Sequence, residues 1–250
     1  MSNTINSDKI LIQKPQAILM SLQNVQEEEL NIITQNLANA QTPGFKAFVV
    51  MAEEAEYKSR EKNNISFLKS DGTQNHLSNG STAQTNNKLD FAISGNGVFA
   101  VQTDKGIRYT RNGRFVIDSE RRLTDGTGNP ILDNNLTEII ISGNVDQFYV
   151  ANDGTMNLNN KNIGKLGVFT FENHRDFKLE GNNLRNYSQQ SLPDDTSMLF
   201  QGGYEESNVS PVQASIQLMQ VSHRYEEAQK MIQAYEDLQK ETRNVTARMA

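Results

Sequence analysis

Residues 89–106, LDFAISGNGVFAVQTDKG, decide between two folds. Gly95-Asn96-Gly97-Val98-Phe99-Ala100 spells the G-x-G-x-x-A of a dinucleotide-binding turn, and Asp118 stands where a ribose-binding carboxylate would be expected. In that fold the glycines must open a helix, whose N-terminal N–H groups and dipole hold the pyrophosphate. Here Val98–Thr103 is rich in β-branched and aromatic residues, Asp104-Lys105-Gly106 turns the chain, and Ile107–Thr110 alternates apolar with polar. The stretch therefore predicts a β-hairpin. Asn112-Gly113 predicts a second tight turn with φ above zero, from which Arg114–Asp118 returns as another strand. Asp118 then falls at a strand end, and no cofactor is expected.

Turn signals continue at Asp125-Gly126, Gly128-Asn129-Pro130, Ser142-Gly143-Asn144 and Asn152-Asp153-Gly154, with short strands expected at Thr137–Ile141, Gln147–Val150 and Lys165–Phe171. That rhythm predicts an antiparallel sandwich or barrel-like domain over 89–203. Upstream, 41–88 reads as a linker or extended arm, since 59–88 is rich in Asn, Ser, Lys and Gln. A second polar stretch, 181–203, leads toward the C-terminus.

The ends have a different texture. From Gln16 to Ala40 there is no Gly or Pro, and apolar residues step by threes and fours through Ile18, Leu22 and Val25, then Leu30, Ile33, Leu37 and Ala40. Glu27-Glu28-Glu29 interrupts the two stripes and reads as a solvated face. Thr42-Pro43-Gly44 stops the helix. An N-terminal helical segment of 1–40 follows from this, its first fourteen residues a polar extension. At the other end, 204–250, Ser210 is suited to cap a helix with Pro211 in its first turn. The seam Ala214, Leu218, Val221, Tyr225, Ala228, Ile232, Tyr235 is spaced 4-3-4-3-4-3, which is coiled-coil spacing. Val212, Ile216 and Met219 form a second apolar stripe, so the helix can meet more than one neighbour. The expected fold is a mainly β middle domain inserted between terminal α-helices that pair as a coiled coil.

Composition narrows the function. The chain has 250 residues, ample for a buried core, with 36% hydrophobic residues, a net charge of −6 and no cysteine. The acidic balance argues against nucleic acid, and the missing thiols exclude disulfides, thiolate metal sites and cysteine nucleophiles. Ile10-Leu11-Ile12 is too short for a signal-peptide core, and no run approaches the roughly 18 apolar residues of a membrane span. His76, His174 and His223 show no ligand spacing, no G-x-S-x-G elbow is present, and no acidic pair stands out. An enzyme is the weakest class, without metal or small-molecule substrate. A β-sandwich adhesion module is an alternative, but such a module needs no terminal heptad seam.

The segment Asn36-Leu37-Ala38-Asn39-Ala40-Gln41-Thr42-Pro43-Gly44-Phe45-Lys46 closely resembles the N-terminal signature of bacterial flagellar axial proteins, the rod and hook family. Leu89–Phe99, followed by Tyr109-Thr110-Arg111-Asn112-Gly113-Arg114-Phe115, looks like its central signature. Glu205-Glu206-Ser207-Asn208-Val209 and Arg224-Tyr225-Glu226 are similar to its C-terminal elements, although Tyr204 stands where the family favours Leu. These blocks span nearly the whole chain in the family's order, and the length and compact middle resemble the rod members more than the longer hook proteins. The resemblance implies a structural subunit exported unfolded through the flagellar type III apparatus, without a cleaved signal peptide. It implies assembly with itself and other rod proteins into a periplasmic helical tube, without membrane insertion. Assembly contacts are expected at Asn36, Leu37, Asn39, Thr42, Pro43, Gly44, Phe45, Ser207, Asn208 and Val209, together with the seam and the second stripe.

Overall fold

The two ends of the chain fold together with a segment that the composition hides. In the computed structural model, which describes residues 4–57, 65–75, 78–173, 177–180, 184–187 and 190–249, the chain divides into two units. The first comprises residues 1–38, 48–76 and 210–250. It contains α1 (Thr4–Ala38), β1 (Phe48–Tyr57), β2 (Ile65–Asn75) and α2 (Pro211–Met249), with α1 in contact with α2, β1 and β2. β1 and β2 pair antiparallel from Phe48↔Asn75 to Tyr57↔Ile65, with a bulge between Val50 and Ala52. A strand over 65–75 therefore corrects the reading of 59–88 as a linker or loose arm. Backbone hydrogen bonds hold such a ladder, and they leave little trace in side-chain composition.

α1 starts at Thr4 and passes through Pro15, within the helical segment expected over 1–40, whose first fourteen residues read as a polar extension. Proline in a helix interior loses one hydrogen bond and costs about 3 kcal/mol, which is why the pattern read from Gln16. The stop at Thr42-Pro43-Gly44 holds, with the helix closing at Ala38, so Ala40 lies beyond it. The inward face also differs from the expected stripes. Gln26, Ile33 and Asn36 are buried, Leu22 and Glu29 are half-buried, and Ile18 is exposed. These five inner positions, 22, 26, 29, 33 and 36, step 4-3-4-3. The acidic run does not break the helix face, because Glu29 meets Arg224 of α2 at 3.3 Å while Glu27 stays exposed.

α2 begins where the cap predicts. The Ser210 carbonyl accepts from the Ala214 N–H at 2.9 Å, and its hydroxyl oxygen from the Gln213 N–H at 3.5 Å. Ala214, Val221 and Ala228 are buried and Leu218, Tyr225, Ile232 and Tyr235 half-buried, whereas Val212, Ile216 and Met219 are exposed. The seam and the second stripe thus occupy opposite faces of one helix.

The second unit comprises residues 39–47 and 77–209. Its strands are β3 (Thr82–Gln84), β4 (Phe91–Ser94), β5 (Val98–Thr103), β6 (Gly106–Thr110), β7 (Val116–Ile117), β8 (Leu123–Thr124), β9 (Phe148–Val150), β10 (Thr155–Leu158), β11 (Lys161–Lys165), β12 (Val168–Thr170), β13 (Phe177–Glu180), β14 (Leu184–Tyr187), β15 (Leu192–Pro193), β16 (Met198–Gln201) and β17 (Gly203–Glu205). Every pairing among the described residues is antiparallel, and the largest sheet runs β13-β14-β6-β5-β12-β15. The hairpin of β5 and β6 is the one its sequence predicts, and no helix follows Gly97, so the dinucleotide pattern is coincidental.

β5 is buried on both faces. Phe99 and Val101 enter a core with Phe91, Phe115, Leu123, Ile141 and Phe148, while Val98 and Ala100 join Tyr109, Leu132 and Phe169 on the opposite side. The first core is tied by ring contacts, Phe99 to Phe115 edge-on at 5.1 Å and Phe91 to Phe115 at 5.7 Å. Aromatic pairs of this kind add about 0.5–1.5 kcal/mol to their area burial.

Some local expectations change. After Asn112-Gly113 the chain does not return beside β6, because Arg114 bridges to Asp90 and β7 pairs with β8. Gly113 does not take a positive φ; a Cβ there would sit 1.7 Å from the Phe91 carbonyl oxygen, so close backbone approach requires the glycine. Thr137–Ile141 makes isolated bridges only, and Gln147 closes a short 3₁₀ turn before β9. Lys165–Phe171 spans the end of β11 and all of β12, and the polar stretch 181–203 carries β14, β15 and β16.

Candidate functional site

The chain passes between its units at 38/39, 47/48, 76/77 and 209/210. Within the second unit, Lys46, Ala47, Ser78 and Asn208, which lie near several of these crossings, meet in one hydrogen-bonded cluster. Its centre is Glu205 at the end of β17, 3% exposed, between Lys46 and Arg111, each 4% exposed. One carboxylate oxygen accepts from the Lys46 ammonium and from the Gly80 N–H at 2.9 Å, and the other accepts from Arg111 Nε at 2.8 Å. The Arg111 guanidinium also donates to the carbonyls of Gly97, of Ile93 at 3.1 Å and of Gly95 at 2.8 Å. Lys46 reaches the Ser78 carbonyl at 2.9 Å. The glycines that mimic a nucleotide turn are thus part of an arginine clamp.

Around this ionic centre the backbone is fastened by Asn208. Its side-chain oxygen accepts from the Ala47 N–H at 2.7 Å, and its amide donates to the Ser78 carbonyl at 3.0 Å. The Gly44 N–H donates to the Glu205 carbonyl at 2.7 Å. Gly44 has φ +68°, and a Cβ there would lie 2.3 Å from the Arg111 carbonyl carbon, so only glycine meets both demands. Thr42 closes the turn, donating to the Asn39 side chain at 3.1 Å.

Two cations face one carboxylate here. Burial alone pushes the Glu205 carboxyl up, but Arg111, Lys46 and the Gly80 N–H together outweigh it and hold the group below the usual carboxylate range. At Lys46 burial is the larger effect, pulling the ammonium below the ordinary lysine range in spite of its bond to Glu205. Among the described residues no cluster of His, Asp and Glu could hold a metal ion. His76 and His174 lie outside the described residues.

The expected interface residues separate into three settings. Gly44, Phe45 and Asn208 belong to the cluster, Phe45 being fully buried, and Asn39, Thr42, Pro43, Ser207 and Val209 flank it half-buried. Asn36 lies in the first unit, where its side chain brackets the start of β1, donating to the Phe48 carbonyl at 2.8 Å and accepting from the Phe48 N–H at 2.9 Å. Leu37 is half-buried beside it. The seam residues of α2 point inward within the first unit, and Val212, Ile216 and Met219 point to solvent. The same unit carries a groove of about 390 Å³ lined by α1, β1 and α2, including Val25, Ile32, Phe48, Val50 and Val221. Sequence reading missed Arg111 and Glu205 as partners; their separation of 94 residues leaves no local signal.

The signature segments that converge on this cluster match family models. Residues 18–46 match the flagella basal body rod protein model, residues 92–158 the flagellar hook protein FlgE/F/G D1 domain, and residues 201–245 the flagellar basal body rod FlgEFG protein C-terminal model. The chain is 30% identical over 219 residues to the flagellar basal-body rod protein FlgF of Caulobacter vibrioides, covering 85% of this chain and 89% of the relative. It belongs to the flagellar basal-body rod protein family. FlgF of Mesorhizobium japonicum is 31% identical, with 84% and 88% covered, and FlgG of Buchnera aphidicola subsp. Schizaphis graminum is 30% identical, with 81% and 88% covered. Both rod branches are therefore represented, and the chain is FlgF-like without excluding the FlgG role. As a rod protein it is a structural subunit.

Proposed function

We propose that this rod subunit assembles with copies of itself and other axial proteins into the helical drive shaft beneath the hook, transmitting torque across the periplasm. The observation that carries the reading is the opposition of faces on α2. Ala214, Val221 and Ala228 are buried against their own unit, while Val212, 70% exposed, lines up with Ile216 and Met219 on the outside. Apolar surface left in water costs about 25 cal/mol per Å², so this stripe favours a neighbour. A head-to-tail interface that does not close produces a helical filament. In this reading the terminal helices pair as a coiled coil and the β unit is sandwich-like. The 3-4 spacing of both inner faces supports the pairing. Export through the type III apparatus fits a chain with no cysteine.

Electron microscopy of basal bodies from cells lacking this gene, with motility scored in parallel, is the test. Rods that stop short, with no hook and no swimming, are expected. Complete rods in a strain without a second copy of the gene would remove the reading.

A further inference from the structure

Lys46, Glu205 and Asn79 bring an amine, a carboxylate and a carboxamide together within the second unit. The Lys46 ammonium donates to Glu205 and lies 3.5 Å from the Asn79 side-chain oxygen, which Arg111 Nη2 also approaches at 3.4 Å. Asn79 is fixed from both sides. The Ser78 carbonyl accepts from Lys46 at 2.9 Å and from Asn208 at 3.0 Å, and the Gly80 N–H donates to Glu205 at 2.9 Å. Gly80 packs so closely that a Cβ there would lie 2.0 Å from the Glu206 carbonyl oxygen. A lysine becomes a nucleophile when burial and a neighbouring cation disfavour its ammonium form. Burial, with Arg111 and Arg185 nearby, pulls Lys46 below the ordinary lysine range against the opposing pull of Glu205. A carboxamide is a poor electrophile in water, but groups held in one geometry react as though highly concentrated. A cation at the carbonyl oxygen further stabilises the oxyanion that attack creates.

We propose that the second unit closes an intramolecular isopeptide bond between Lys46 Nζ and Asn79 Cγ, with Glu205 as the proton shuttle. Glu205 takes one proton from the ammonium, and the Nζ–Cγ bond forms while the former carbonyl oxygen, facing Arg111, carries the negative charge. Glu205 returns that proton to Asn79 Nδ2, the carbonyl reforms, and the Cγ–Nδ2 bond breaks to release ammonia. The attacking nitrogen passes its surplus proton through Glu205 to the ammonia, which leaves as ammonium and restores the carboxylate. Nothing is oxidised or reduced, and no partner subunit is needed. Asn79 is exposed, so the ammonium escapes to water and the step runs one way. The ion pair of Lys46 with Glu205 is the state before reaction. The product ties segment 39–47 covalently to the start of segment 77–209 and closes the chain between positions 46 and 79 into a loop. Such a closure limits the freedom of the unfolded chain, as a disulfide does.

Intact-mass spectrometry of the full-length chain, held folded at neutral pH and then digested with trypsin, tests the bond. The wild-type chain should be lighter than its sequence by one ammonia, and the peptides carrying Lys46 and Asn79 should be recovered as one cross-linked species. Asn79→Ala changes an exposed side chain and should keep the fold, yet it should restore the sequence mass, as should Lys46→Arg. Glu205→Gln, with its fold checked by circular dichroism, should also stay unlinked. A bond that forms in folded Glu205→Gln would remove Glu205 from the chemistry. A wild-type chain at its full sequence mass would overturn the proposal and leave Asn79 as a hydrogen-bond acceptor only. Ammonia lost in wild type and Lys46→Arg alike, without a cross-linked peptide, would overturn it in favour of a succinimide at Asn79-Gly80. A chain heavier by one dalton would likewise mean that Asn79 reacts with water and not with Lys46.

Discussion

Glu205 is the residue on which the ionic cluster depends, because it is the shared partner of two buried cations. Removing one member of a buried ion pair leaves an uncompensated charge and costs about 3–5 kcal/mol. Glu205→Ala strands both Lys46 and Arg111, so thermal unfolding of the second unit should fall by about 10 °C. Lys46→Met should cost much less, since it removes a group that burial already disfavours as a cation and leaves the Arg111–Glu205 pair intact. Equal losses in the two variants, read by calorimetry, would show that Glu205 is not the hub. The pH dependence has a definite sign. Glu205 is held below the usual carboxylate range when folded, so its contribution is complete above the unfolded value and disappears as pH falls through the folded one. Acid titration should therefore lower the midpoint below about pH 4. Glu205→Gln should flatten part of that slope, although Asp118, Asp153 and Asp194, also held low, keep the remainder. A slope unchanged in Glu205→Gln would assign the acid response to those aspartates alone.

On the scale of elements, α2 carries a buried and an exposed apolar face on one helix. Val221 is 1% exposed on the inner face and Ile216 is 46% exposed on the outer one. Val221→Asp should release α2 from α1 and reduce the helical circular dichroism of the monomer, because it buries an unpaired charge. Ile216→Asp should leave that spectrum unchanged yet abolish complementation of a deletion strain. Reversed outcomes would exchange the two faces. Much of this element was legible in the sequence, since Ser210-Pro211 and the heptad spacing are local signals. α1 was less so, because Gln26 and Asn36 occupy inward positions that an apolar pattern skips, and Pro15 hides the helix before it. The pairing of β1 with β2 was not legible, because β2 lies in a polar stretch. The hairpin of β5 and β6 was, because its turn and alternation sit within a few residues of each other. The ionic cluster falls between these cases. Each signature is visible alone, but Lys46 and Glu205 are 159 residues apart, and only the fold shows that they meet.

For the molecule as a whole, the consequence is that the second unit is discontinuous. A β domain of 89–203 reads naturally from the turn rhythm, yet it omits Phe45, Lys46 and Glu205, which the structure buries within the same unit. Segment 39–47 contributes a fully buried phenylalanine and one cation of the ionic centre, and losing a buried phenylalanine side chain alone costs about 3–5 kcal/mol. A fragment spanning 77–209 should therefore unfold at a lower temperature than one spanning 39–209, and a synthetic 39–47 peptide added to the shorter fragment should recover part of the difference. The fragments also decide what holds the signature Thr42-Pro43-Gly44-Phe45-Lys46 in place. Recovery that Lys46→Ala in the peptide abolishes would place the anchor in the ionic centre, recovery that Phe45→Ala abolishes would place it in the apolar core, and equal midpoints for the two fragments would mean that 39–47 only passes over the unit's surface. The first two outcomes make a segment of nine residues an integral part of the second unit rather than a connection that only passes by it.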